Sequence, residues 1–534
     1  MSSATIELQG RSIIGFGRSE GSAGLMYGAN AATGERLDPP YHSATDAETA
    51  RAAALAGAAF PAYRAKTRRQ RADFLRRIAT NLEELGDRLV ERVVLETALP
   101  EGRVKGERAR TCGQLRFFAD IVEEGSWVDA RIDTGDAQRK PAPKPDLRSM
   151  LRPLGPVAVF CASNFPLAFS VAGGDTASAL ACGCSVVVKA HMSHPATAEL
   201  CGMAVLHAAI ATGMPEGVFS LLFGEGRRIG QAMVAHPVIQ AAGFTGSRAG
   251  GLALLKTAQS RPVPIPVYAE MSSVNPVFVL PHALAQRAAQ LAAGLHGSVT
   301  VGVGQFCTNP GLVLVPTGES GDQLAAELAE RMRGTEPAAM LNATILQSYS
   351  RIVRTRAGDA RVRTLVAPGN AEHAATTALF ETDAATFLAH PDLAEEMFGP
   401  ATILIRYGKL DDALALVRSM EGNLTATILT APGDEEAAAQ LVSALETRVG
   451  RIVFNGYPTG VEVCHAMVHG GPYPATPDGR TTSVGGRAIE RFVRAVCWQD
   501  ASAELLPEEL RDGNPAGVLR IVNGERTREP FAAR

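Results

Sequence analysis

Four short apolar runs, Val157-Ala-Val-Phe160, Ser185-Val-Val-Val188, Val218-Phe-Ser-Leu-Leu222 and Ala241-Ala-Gly-Phe244, alternate with longer Ala- and Leu-rich stretches. Runs this short, without polar alternation, read as strands buried on both faces. Strands separated by helices must be joined by crossovers, so the pattern predicts an α/β fold with a parallel sheet. A second α/β half is expected to begin at Pro276-Val-Phe-Val-Leu280. Upstream, Thr45-Asp-Ala-Glu48 has the form of a capping box ahead of an Ala-rich helix. Leu75, Ile78, Leu82, Leu85, Leu89 and Val93 recur at helical spacing and mark core positions. The run Arg139-Lys-Pro-Ala-Pro-Lys-Pro-Asp146 breaks regular structure and reads as a linker or crossing segment. No internal repeat is evident. A chain of 534 residues exceeds one ordinary core and divides into two or more domains.

Charge and cysteine usage exclude several classes. A net charge of -3, from interspersed signs, gives no surface for nucleic acid. The N-terminal segment Met1–Gly10 lacks the basic and apolar regions of a secretion signal. The apolar stretch from Ala177 to Val188 is too short to span a bilayer, so no membrane association is expected. Eight scattered cysteines suit reduced thiols in a cytoplasm better than a disulfide framework. Cys182-Gly-Cys184 and His465-x-x-x-His469 each lack a second ligand pair of the usual spacing, so no metal is expected.

Chemistry enters with Cys307, in Gly304-Gln-Phe-Cys-Thr-Asn-Pro310, and Glu270, in Tyr268-Ala-Glu-Met-Ser-Ser273. A thiolate and a carboxylate together can oxidise an aldehyde. The sulfur adds to the carbonyl, the thiohemiacetal gives up hydride to a nicotinamide, and the carboxylate activates the water that hydrolyses the thioester. A lone cysteine is more often a small buried hydrophobe, and a lone glutamate a solvated charge. No G-x-G-x-x-G fingerprint is present. Gly246-Ser-Arg-Ala-Gly-Gly251 instead follows a predicted strand and precedes an apolar helix, a junction that can present backbone N–H groups to a phosphate.

Together with Cys161-Ala-Ser-Asn-Phe-Pro-Leu167, Phe244-Thr-Gly-Ser247 and Glu395-Glu-Met-Phe-Gly-Pro400, these segments resemble the aldehyde dehydrogenase superfamily in order and approximate spacing. The resemblance covers about residues 5 to 525. Within the superfamily, Glu270-Met-Ser-Ser-Val-Asn-Pro-Val-Phe-Val-Leu-Pro281 and Phe454-Asn-Gly-Tyr-Pro-Thr-Gly-Val-Glu-Val-Cys-His465 are similar to the branch of α-ketoglutaric semialdehyde dehydrogenases and an NADP-preferring fatty aldehyde dehydrogenase.

The resemblance implies a Rossmann-like cofactor domain over 1–130 and 152–275 and an α/β catalytic domain over 276–475. Small β oligomerisation segments fall at 131–151 and 476–500, followed by a C-terminal tail over 501–534. It makes Cys307 the nucleophile and Glu270 the deacylation base. Asn164, whose tetrapeptide alone would be an ordinary turn, becomes an oxyanion donor beside the Cys307 N–H. Gly246, Ser247, Gly251 and Lys189 become dinucleotide contacts, Glu396 holds the nicotinamide ribose, and Phe398 packs near the ring. Met192 stands where NAD-preferring relatives often carry glutamate, and Arg227 where the NADP-preferring relative binds the 2′-phosphate, so NADP is favoured with NAD possible.

The expected reaction is oxidation of 2,5-dioxopentanoate to 2-oxoglutarate by a cytoplasmic homo-dimer or homo-tetramer. The alternatives are a medium- or long-chain fatty aldehyde as substrate, a CoA-acylating dehydrogenase, and a non-catalytic nucleotide-binding protein.

Overall fold

The computed structural model describes residues 7–531. Residues 1–6 of the N-terminal segment and 532–534 of the expected tail lie outside the described residues. Two seven-stranded sheets form the body. In the first, the order is Val267–Glu270, Ala241–Thr245, Val157–Phe160, Val186–Lys189, Phe219–Leu222, Ile13–Ile14 and Gly17–Arg18. The first five strands run parallel, Ile13–Ile14 pairs antiparallel to Phe219–Leu222, and Gly17–Arg18 forms the edge. The four apolar runs are therefore strands within one residue of the expected limits.

From Val157–Phe160 the chain winds outward through Val186–Lys189 and Phe219–Leu222. It then returns to the other side of the first strand as Ala241–Thr245 and Val267–Glu270. Reversal at the Val157 strand opens a crevice at the carboxyl ends, where α/β sheets bind ligands. Register brings the functional side chains there together, with Phe160 opposite Lys189 and Phe244, and Thr245 opposite Glu270.

The second sheet has the order Arg363–Val366, Ala378–Asp383, Ala401–Tyr407, Leu312–Pro316, Val277–Val279, Asn423–Leu429 and Val449–Phe454, parallel except for its first strand. It begins at the expected Pro276–Leu280 run.

Of two local expectations, one holds and one changes. The capping box forms, with the Thr45 side chain and Glu48 exchanging hydrogen bonds ahead of helix Asp46–Arg64. The periodic run from Leu75 to Val93, however, is two helices, Arg68–Glu84 and Gly86–Thr97, because the chain turns at the left-handed Gly86 (φ 57°). The apolar stripe continues across the break because both helices pack into one core.

A third sheet joins Val493–Gln499, Leu147–Pro153, Arg131–Asp133, Arg520–Val522 and Glu525–Thr527. Its last two strands come from the segment expected to be only a tail. Arg520–Val522 runs parallel to Arg131–Asp133 and occupies that strand's free edge.

Candidate active site

Cys307 follows a tight turn, Val301–Gly304, in which Gly302, Val303 and Gly304 all have positive φ. Gly304 is required by contact as well as by its φ of 64°. A Cβ there would lie 2.2 Å from the carbonyl carbon and oxygen of Gly399. The cysteine turn is thus pressed directly on the Glu395–Pro400 loop, and Asn309 Nδ2 donates to Gly399 O across the same seam at 3.2 Å.

Buried Asn275 clamps the turn from the other side. Its Nδ2 donates to the carbonyls of Cys307 (2.9 Å) and Asn309 (3.0 Å), while its Oδ1 accepts from Ser273 and Thr425. The Asn164 amide donates to Gln305 O at 3.0 Å. One amide hydrogen holds it beside the nucleophile turn, and the second is left for a ligand.

The sulfur has a neighbour that the motifs did not reveal. Cys307 Sγ lies 3.5 Å from His469 Nε2. The same nitrogen lies 3.0 Å from Glu270 Oε1, with both side chains almost wholly buried. Ser483 Oγ donates to Glu270 Oε2 at 2.8 Å, and its backbone N–H donates to His469 O at 2.8 Å. The histidine is pinned in turn by its own N–H, which donates to Thr482 Oγ1 at 2.8 Å.

Nucleophile, imidazole, carboxylate and hydroxyl thus form one chain across the ends of both main sheets. Removal from water, and then the Glu270 carboxylate, push the Cys307 thiol well above its ordinary value. Burial also pushes Glu270 upward. The His469 charge and the hydrogen bonds from His469, Ser483 and Cys307 outweigh it and hold this carboxyl below its usual range. The metal-like spacing noted at His465 and His469 resolves differently, because His469 turns inward to this chain while His465 packs on Phe117 at 4.7 Å.

A cavity of about 1760 Å³ runs from Cys307, Asn164 and Glu270 along the carboxyl ends of the first sheet. Lys189, Met192, Arg227, Gly246, Ser247, Glu396 and Phe398 all line it. Gly251 does not. It sits under helix Arg248–Gln259, where a Cβ would come 2.6 Å from Met271 Sδ, so its part is helix-to-strand packing. Ser247 caps that helix, accepting from Gly250 N at 3.2 Å.

Burial lowers the Lys189 ammonium to about 8 and raises the Glu396 carboxyl to about 7. The neighbouring arginines differ. Arg228 is held by Asp46, Ser43 and the Ala44 carbonyl. Arg227 has no hydrogen-bond or ion-pair partner among the described residues and faces the cavity. A lysine at a strand end, a capped helix N-terminus and an unpaired guanidinium along one cleft fit a phosphorylated dinucleotide.

A thiol beside a histidine and a buried carboxylate, opening on a cleft that fits a phosphorylated dinucleotide, is an arrangement suited to an oxidoreductase. The aldehyde dehydrogenase family model matches residues 26–473, and the chain belongs to that family. It is an NAD(P)-dependent enzyme that oxidises an aldehyde to a carboxylate.

Among its relatives, α-ketoglutaric semialdehyde dehydrogenase 2 of Azospirillum brasilense is 49% identical over 531 residues, covering 97% of this chain and all of the relative. The α-ketoglutaric semialdehyde dehydrogenase of Acinetobacter baylyi is 46% identical over 525 residues, covering 97% and 99%. Solved structures share the fold. Aldehyde dehydrogenase C of Pseudomonas syringae, crystallised with NAD+ and octanal, superposes with a TM-score of 0.78 at 22% identity, covering 93% of this chain and 98% of that one. The NADP-dependent glyceraldehyde-3-phosphate dehydrogenase of Bacillus halodurans, complexed with NADP, gives 0.76 at 23% identity, covering 93% and 100%. No helix among the described residues is long and apolar enough to cross a membrane.

Proposed function

We propose that the chain oxidises 2,5-dioxopentanoate to 2-oxoglutarate and prefers NADP. The observation that carries the chemistry is the buried chain Cys307–His469–Glu270–Ser483. When His469 is uncharged and its Nε2 unprotonated, that lone pair accepts the thiol proton, and the charge that holds the Glu270 carboxyl down is the one His469 then carries. The imidazolium so formed stands between thiolate and carboxylate and stabilises both charges, which offsets the burial that opposes the thiolate.

Cys307 then adds to the aldehyde carbon, and the Asn164 amide with the Cys307 N–H holds the oxygen as it gains charge. When bound, the nicotinamide supplies the hydride acceptor, and Lys189, Arg227, Ser247 and Glu396 are the residues that would hold its dinucleotide. Glu270, held ionised, takes a proton from the water that attacks the thioester. A carboxylate placed to activate water argues for hydrolysis over transfer to CoA.

The unpaired Arg227 and the uncharged Met192, which line the same cavity, support NADP, since neither opposes a 2′-phosphate and the guanidinium matches it. The two curated relatives support the substrate. Catalysis in a homo-oligomer is supported by the third sheet, whose outer strand Val493–Gln499 has one edge unpaired among the described residues. A cytoplasmic setting is supported by eight cysteines without a disulfide.

The test is kcat/KM across 2,5-dioxopentanoate, succinic semialdehyde, glutaraldehyde, hexanal and a longer alkanal, with each cofactor. The highest value for 2,5-dioxopentanoate with NADP is expected. A maximum at the long alkanal overturns the substrate reading. Cys307→Ala should lose turnover while retaining cofactor binding, and turnover by the folded variant overturns covalent catalysis.

A further inference from the structure

Three arginines approach the nucleophile from outside the dinucleotide cavity. Arg103 and Arg110 lie on helix Glu101–Glu124, and Arg451 lies on strand Val449–Phe454. Arg103 stacks on the rings of Phe165 and Phe306, each 4.7 Å away. Arg110 lies over Phe169 at 5.2 Å, and that ring is 6.3 Å from His469. Phe165, Phe169, Val461, Val463 and Met467 pack together beside these cations. The far part of an aldehyde bound at Cys307 would therefore meet apolar walls and positive charge.

The three differ in what they have left to offer. Arg451 donates from both terminal nitrogens, to the carbonyls of Gly460 (2.6 Å) and Pro458 (2.7 Å), and holds that loop, which leaves only its Nε buried without an acceptor. Arg103 donates to Asn164 O at 3.3 Å, lies 3.5 Å from Glu107 and is enclosed by its two rings. Arg110 makes a single hydrogen bond among the described residues, a 3.3 Å contact to Val461 O, and its Nη1 is buried without an acceptor.

The carboxylates that act on Arg110 do not satisfy it. Glu107 Oε1 is used by the Leu167 and Ala168 amides, while Glu462 is exposed and Glu270 belongs to His469 and Ser483. A buried guanidinium short of acceptors is costly until an anion reaches it.

We propose that Arg110 binds the remote carboxylate of a short ω-oxo acid substrate and sets the enzyme's preference for it. The inference rests on the semialdehyde reading above and names the residue that would discriminate. In an extended five-carbon ω-oxo acid the aldehyde and carboxylate carbons are about 5 Å apart, from standard bond lengths. Arg110 stands on Phe169, the ring next to His469, whose Nε2 is 3.5 Å from Cys307 Sγ, and so lies on the side of the nucleophile where such a chain would end. The carboxylate supplies the acceptor that Arg110 Nη1 lacks, and its second oxygen remains for another donor.

Arg110→Gln and Arg110→Lys should be assayed with 2,5-dioxopentanoate and with pentanal, an uncharged aldehyde of equal length. The expected result is a KM for 2,5-dioxopentanoate raised about tenfold or more in Arg110→Gln, the scale of one charge-assisted bond, with kcat/KM for pentanal unchanged and partial recovery in Arg110→Lys. Equal loss on both aldehydes overturns the assignment, as does unchanged discrimination. NADP affinity of each variant reports folding. If Arg110→Gln does not fold, glutarate inhibition of the lysine variant decides, since a carboxylate anchor predicts weaker inhibition and equal inhibition refutes it. The wild-type ratio separates the two readings. Wild type without preference for 2,5-dioxopentanoate defeats the substrate proposal, whereas a wild-type preference retained in Arg110→Gln defeats Arg110 alone.

Discussion

Replacing His469 with asparagine isolates the imidazole's contribution, because asparagine still donates a hydrogen bond toward Glu270 but cannot accept the thiol proton. An unperturbed cysteine is about one-tenth thiolate near pH 7.5, and each unit of upward shift removes another factor of about ten. Cys307 is shifted upward by loss of water and by Glu270, so without a base 3.5 Å from Sγ its thiolate becomes scarce. A positioned base typically contributes about 10²- to 10⁴-fold. We therefore expect acylation in His469→Asn to slow by about 100-fold or more.

The pH dependence follows with a definite sign. Glu270 is held below its usual range chiefly by His469 against a larger upward push from burial. Removing the imidazole lets burial dominate, the carboxyl stays protonated to higher pH, and the acidic limb of deacylation moves to the alkaline side. Stopped-flow NADPH formation reads acylation, and iodoacetamide labelling of Cys307 across pH reads the thiolate directly. An unchanged burst together with an unchanged labelling profile refutes the shared-proton argument.

Glu270→Gln should leave labelling of Cys307 possible but stall hydrolysis, so mass spectrometry of the quenched enzyme should show accumulated acyl adduct; its absence despite NADPH release counts against Glu270 as the deacylation base. Arg227→Ala should raise KM for NADP about tenfold and leave NAD nearly unaffected, a selectivity readable in paired initial-rate series. Gly304→Ala meets the Gly399 carbonyl at 2.2 Å in a left-handed conformation, so it should cost about 2 kcal/mol or more in urea melts and reduce turnover as the cysteine turn lifts from its neighbour.

What could be read from residue order was whatever local chemistry specifies. Val157–Phe160 and its sister strands announce themselves because strands covered on both faces have no polar alternation. Cys307 and Glu270 stand in dense local motifs. The Leu75–Val93 stripe concealed its break because two helices facing one core keep a common apolar face across Gly86. His469 escaped because it lies 162 positions from Cys307, in the irregular segment that follows the last strand of the second sheet. Asn275 and Ser483 act through hydrogen bonds to partners distant in sequence, for which no spacing rule exists. Gly251 was assigned to the dinucleotide by its place in a glycine-rich turn, yet Met271 explains it.

Pairing of Arg520–Val522 with Arg131–Asp133 joins residues nearly four hundred positions apart. During synthesis, therefore, Arg131–Asp133 emerges long before the strand that covers it, and the sheet can be completed only after Val522 has been made. Until then its free edge is a template for whatever extended polypeptide is nearby, including another nascent copy. A stop codon just before Arg520 would spare every catalytic group and still leave that edge bare, so such a truncation should appear as loss of soluble yield, with normal kinetics in the molecules that survive.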